Sequence, residues 1–146
     1  MNFKDIRELD IAKDKFDYTR DLVDSVDYQE WVEYITKNNN HFTWYEDTLE
    51  GKNILNRINE IPADFKHSYL SILNNVRCFL HYNPQENSYT SSVGYSPESK
   101  KVSITFTINP SITDLNIYLT MANHLESYLL NKGKDIIDEE YLKALT

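Results

Sequence analysis

The run VSITFTI at 102–108 alternates without a break: Val102, Ile104, Phe106 and Ile108 fall on one side, Ser103, Thr105 and Thr107 on the other. Successive side chains of a strand point to opposite faces, so this pattern calls for a sheet with one apolar and one polar face. Its partners lie just upstream. VRCFLHY (76–82) reads as a strand, PQEN (84–87) as a turn, SYTSSVGYS (88–96) as a second strand and PESK as another turn. Three strands joined by short turns predict an antiparallel meander, buried on one face.

Helical signals flank it. Phe3, Ile6, Leu9, Phe16 and Val23 recur at helix-like intervals, with Lys13 and Arg20 between them. Asp27 followed by Glu30 marks a second helix start, with Tyr28, Trp31, Val32 and Ile35 as its apolar face. HFTWYED (41–47) reads as a short strand, Thr48 as a cap on GKNILNRI, and Pro62 as the start of PADFKHSYLSILNN with Phe65, Tyr69, Ile72 and Leu73 inward. After Asn109-Pro110, Ser111 with Asp114 three residues on starts a long helix. Ile112, Leu115, Leu119, Ala122, Leu125 and Leu129 form its stripe and Gly133 its C-terminal cap. KDIID (134–138) reads as a short strand, and Asp138 caps a last helix, EEYLKAL. The predicted fold class is α+β: N-terminal helices, a three-stranded antiparallel meander covered by a long helix, then a short C-terminal strand and helix. Without repeats or linkers, residues 1–146 are expected to form a single domain, long enough to bury a core unaided.

Charge narrows the partners. The net charge is −8, and residues 1–33 hold ten acidic against five basic side chains. Such a surface repels nucleic acid and anionic membranes and attracts a basic protein. MNFKDIRELD has no apolar signal region and no apolar run approaches membrane-spanning length, which predicts a cytoplasmic protein. The one cysteine, Cys78, lies in the apolar VRCFL and is expected to be a buried thiol.

Catalytic patterns are missing from the sequence. His41, His67, His81 and His124 are far apart in the chain and form no metal-ligand pair. Cys78 and His81 on one strand point to opposite faces, which disfavours a nucleophile–base pair. Gly51, Gly94 and Gly133 are isolated, so no phosphate loop is formed, and no serine sits in a nucleophile elbow. No enzyme, cofactor or metal is expected.

What stands out is DIAKDKFDYTRDLVD at 10–24. On a helix, Asp10, Asp14, Asp17, Asp21 and Asp24 would share an arc of about 80° and a stripe about 21 Å long. One reading is a solvated face. The other is a functional acidic surface, because aspartate is a poor helix former and like charges one turn apart cost roughly 0.2–0.5 kcal/mol each. Tyr18 flanks the row, and eleven tyrosines in the chain suit a binding surface or a half-buried core. Asp10, Asp14, Asp17, Tyr18, Asp21 and Asp24 are therefore the candidate partner-binding residues.

The stretch VSITFTINPSITDLNIYLTMANHLESYLLNKGKDIIDEEYL, residues 102–142, resembles the strand–helix–strand tail of small bacterial immunity proteins. These accompany polymorphic toxins, including those of contact-dependent growth inhibition. The resemblance rests on a β-rich strand, an Asn-Pro-Ser helix start and a short IID strand, and it carries no site residues over. It implies a non-enzymatic protein that binds and blocks a toxin domain, often a basic nuclease. The alternative is a small-ligand-binding or regulatory α+β domain with a pocket between sheet and helices.

Overall fold

The alternation at 102–108 does build a strand, and six more strands join it in one antiparallel sheet. The computed structural model describes residues 6–70 and 73–144, and the side chains of all but 67–70 among them. Its strands are β1 (Glu8–Ala12), β2 (Phe42–Trp44), β3 (Arg77–Leu80), β4 (Ser91–Ser96), β5 (Lys101–Phe106), β6 (Tyr128–Asn131) and β7 (Asp135–Ile136). They lie in the order β2-β3-β4-β5-β1-β6-β7. Among the described residues five α-helices accompany them: α1 (Tyr28–Lys37), α2 (Leu49–Asn56), α3 (Ala63–Leu70), α4 (Ile112–His124) and α5 (Glu139–Ala144).

This overturns the predicted architecture of N-terminal helices followed by a three-stranded meander. The meander β3-β4-β5 is the middle of a seven-stranded sheet, and the N-terminal segment is one of its strands. ELDIA alternates at period two: Leu9 and Ile11 are buried while Glu8 is exposed and Asp10 half-buried. β1 inserts between β5 and β6, with Leu9 opposite Ile104 and Ile11 opposite Val102 and Leu129. Pairing on both edges satisfies its backbone groups, which an isolated helix of this composition would do less well.

A second correction concerns α4. It stops at His124, so Leu125 and Leu129 do not continue a helical stripe and Gly133 does not cap it. The stop is a Schellman turn: Glu126 N donates to the Asn123 carbonyl at 3.1 Å and Ser127 N to the Ala122 carbonyl at 2.9 Å. Glu126 takes the left-handed conformation (φ 51°) that glycine usually fills, and Lys13 Nζ donates to the Leu125 carbonyl at 2.7 Å. The chain then returns as β6, and Gly133 (φ 75°) lies in the turn to β7. Phe65 and Ile108, expected inward, are 62% and 55% exposed. Phe3, Tyr69 and Ile72 fall outside the described side chains.

The helix starts follow the sequence. Asp27 accepts from Glu30 N, Thr48 from Gly51 N, and Ser111 and Asp114 cap reciprocally. Helices α1, α4 and α5 pack on one face of the sheet around Trp31, Ile35, Leu115, Tyr118 and Leu142. Among the described residues, the other face carries two smaller apolar clusters. Beyond β3 lies a cluster of Tyr45, Ile54, Leu73 and Phe79. Beyond β1 lies another of Ala12, Leu22 and Leu130, joined by Phe16 and Ile136. Among the described residues no helix is long and apolar enough to cross a membrane.

Candidate functional site

Residues 13–27 carry the chain from β1 to α1, and most of the aspartate row lies there rather than on a helix. Three anchors pin this loop. Phe16 N donates to the Gly133 carbonyl at 2.9 Å, and Lys101 Nζ stands 5.2 Å from the Phe16 ring centroid. Leu22 is buried, and its carbonyl accepts from Lys100 Nζ at 2.9 Å. Val26 is buried, its N donating to the Lys100 carbonyl and its carbonyl accepting from Tyr95 Oη at 2.9 Å. Of the loop residues read at helix-like intervals, Phe16 is an anchor and Val23 is not.

Between the anchors the side chains point to solvent. Asp14, Asp17, Asp21 and Asp24 are all exposed. Asp14 Oδ1 accepts from Lys15 N at 2.8 Å, and Asp21 Oδ2 from Tyr18 N at 3.1 Å, closing the single 3-10 turn Thr19–Asp21. Asp17 pairs with Lys134 Nζ at 2.5 Å. That hydrogen bond, and then the charge of Asp17, raises the Lys134 pKa. Tyr18 is 62% exposed with the Arg20 guanidinium 4.8 Å from its ring centroid, and Val23 is 85% exposed. An open depression of about 420 Å³ lies beside Lys15, Phe16, Asp17, Asp21 and Lys134. Asp10 stands apart: it sits on the sheet face and pairs with Lys101 Nζ at 2.5 Å. The structure thus gathers Asp14, Asp17, Tyr18, Asp21 and Asp24 on one loop and leaves Asp10 outside it. Val23 belongs with this group; its place in an apolar repeat disguised it as core.

Strand pairing creates a second polar cluster that sequence separation hides. His41 precedes β2 and His81 follows β3, so antiparallel pairing puts them side by side: His81 N donates to the His41 carbonyl at 2.9 Å and the ring centroids are 5.9 Å apart. His81 Nε2 lies 3.4 Å from Asp114 Oδ1, while Asp114 Oδ2 accepts from Ser111 N. His81 holds a left-handed backbone (φ 55°), and its imidazole is part-exposed beside a nearly buried carboxylate. Chemically, this is an imidazole oriented by an aspartate. Structurally, it ties the end of β3 to the start of α4.

Cys78 is fully buried, and its thiol is pushed well above the ordinary range by burial first and the Glu46 charge second. Tyr118 Oη and Ser91 Oγ share a short hydrogen bond. Burial raises the Tyr118 pKa well above its usual value, against the lowering effect of that bond. Tyr95 packs against Tyr28 and Trp31. Among the described residues no three His, Cys, Asp or Glu side chains converge to hold a metal ion.

These features define an α+β protein with one mixed-length antiparallel sheet and an anchored acidic loop. Comparison with protein-family models, with characterised proteins and with solved structures gives no significant match.

Proposed function

We propose that this is a non-enzymatic binding protein, an immunity-type inhibitor that blocks a basic toxin domain through the loop bearing Asp14, Asp17, Tyr18, Asp21 and Asp24. One observation carries the reading. Tyr18 and Val23 are held out in solvent, among carboxylates, by a loop whose intervening residues are buried or bonded to the sheet. An exposed aromatic on a pre-organised loop binds at low entropic cost and slows dissociation. The surrounding carboxylates steer a cationic partner and raise association by one to three orders of magnitude at low salt. The basic groove of a nuclease is a partner of the right charge.

The test is capture from a lysate of the source cell at low salt, using wild type and the Asp14/Asp17/Asp21→Asn variant. One basic protein retained by wild type and depleted in the variant is the expected result. Equal retention by both baits contradicts the reading.

The His81–Asp114 pair favours a second reading, acid–base chemistry at His81. It predicts a hydrolytic activity lost in His81→Ala and weakened in Asp114→Asn; an activity unchanged in both variants excludes it.

A further inference from the structure

β2 is the outer strand at one side of the sheet, and among the described residues no strand pairs with its free edge. Sheet edges are commonly guarded by charged side chains or proline. This one has neither: no Asp, Glu, Lys, Arg or Pro falls between Asn38 and Tyr45, and Phe42, Thr43 and Trp44 are all strand formers. The opposite edge differs, because β7 has only two residues, one of them Asp135, with Lys134 just before it. Open space of about 310 Å³ lies against Phe42, Thr43 and Trp44, bounded also by Ile35, Asn39 and Asp47. The β2 edge is therefore accessible.

The ladder decides which backbone groups face outward. His81 N donates to the His41 carbonyl at 2.9 Å. Hydrogen-bonded pairs of an antiparallel ladder recur at every second residue, so Thr43 opposite Phe79 is the next, and Thr43 turns its N–H and carbonyl to β3. Phe42 and Trp44 turn theirs away from it. Phe42 N is taken by the Asn38 carbonyl at 3.0 Å. The edge thus offers one donor, Trp44 N–H, and the carbonyls of Phe42 and Trp44.

We infer that this edge pairs with a second copy of the chain, β2 against β2, antiparallel about a two-fold axis at Thr43. Phe42 and Trp44 lie one residue either side of that axis. It sets the Trp44 N–H of each copy on the Phe42 carbonyl of the other, so the single donor is matched twice. Thr43 meets Thr43 in the closer, non-hydrogen-bonded pairing, where cross-strand side chains interact most. Charge selects the same occupant. Lys37 adjoins Asn38, which holds Phe42, and Asp47 follows three residues after Trp44. Both are exposed, and among the described residues neither has an ion-pair partner. The two-fold brings the Lys37 end of one edge beside the Asp47 end of the other, twice. Elsewhere the net charge of −8 holds copies apart, and the uncharged edge is where they can approach. Four strand spacings, about 19 Å at ~4.8 Å each, separate β2 from β1. The dimer leaves loop 13–27 free, so the inference is independent of the binding function proposed above.

The test is sedimentation velocity of the whole chain at low salt, from low micromolar to millimolar protein. Wild type is expected to rise reversibly to twice the monomer mass. A monomer throughout, or growth past the dimer, overturns the inference. Thr43→Lys and Thr43→Glu each set like charges opposite one another at the axis, and each should weaken dimerisation roughly tenfold, with an equimolar mixture of the two restoring it. Wild-type dimerisation by either variant alone, or no recovery in the mixture of folded variants, overturns the axis. Lys37→Asp and Asp47→Lys lie at exposed positions and keep the test open if a Thr43 variant folds poorly. Each should weaken the dimer and the double exchange should recover it; a double variant no better than the singles overturns the edge-to-edge arrangement.

Discussion

Cys78 sits opposite Trp44 on one neighbour and Val93 on the other, with no exposed surface. Its thiol is harder to ionise folded than unfolded, chiefly through burial. A group whose pKa is raised by folding contributes stability in full below its unfolded pKa, and loses it as pH climbs past that value. Thermal stability should therefore hold to about pH 8 and fall above about pH 9, where the unfolded thiol ionises and the native one does not. Tyr118 acts in the same direction at higher pH. Melting curves of Cys78→Ala should show a shallower alkaline fall, and the native thiol should resist an aqueous disulfide reagent until the chain unfolds. At the neighbouring hydrogen bond, Tyr118→Phe strands the fully buried Ser91 hydroxyl and should cost about 1–3 kcal/mol by denaturant melts. Adding Ser91→Ala should recover part of that loss.

At the scale of elements, loop 13–27 is the part whose form matters most. Leu22→Ala empties a small apolar cluster and should destabilise by about 2–4 kcal/mol while loosening the loop. Gly133→Ala meets both a positive φ and the Phe16 carbonyl oxygen 2.6 Å from the new Cβ, so its cost should exceed about 1 kcal/mol. Asp17→Asn removes only a solvent-exposed pair with Lys134 and should leave Tm unchanged. Anchors and binding residues are thus separable by experiment: the first kind changes stability, the second only association. Local signals were legible at this scale. Asp27, Thr48 and Ser111 mark helix starts because capping is decided within four residues. The loop itself was misread, because Phe16 and Val23 fall at helix-like spacing without sharing a face: Phe16 is tied to the turn before β7, and Val23 points to solvent.

For the whole molecule, the decisive event is the insertion of β1 between β5 and β6, some ninety and one hundred and twenty residues away in the chain. Five residues are too few for periodicity to separate a strand from one turn and a half of helix, so the N-terminal third gave no warning of a seven-stranded sheet. The same non-local pairing creates the His41–His81 contact, which is not visible as a motif. The acidic excess of residues 1–33 did survive the change of fold, because it depends on composition and not on secondary structure. It is moved from a helix stripe to one sheet position and an anchored loop. The remaining aspartates then project past a fixed frame beside Tyr18 and Val23. A concentrated negative field of this kind acts on encounter, so its effect belongs in the association rate and in its dependence on ionic strength.

The measurement that tests this account most directly is the association rate of the captured basic partner with wild type and with Asp14/Asp17/Asp21→Asn, from low to physiological salt. Steering by the acidic loop gives a rate at least tenfold slower in the variant at low salt, the two converging as salt rises, with Tm unchanged. Equal rates and equal salt dependence in the two proteins would contradict it.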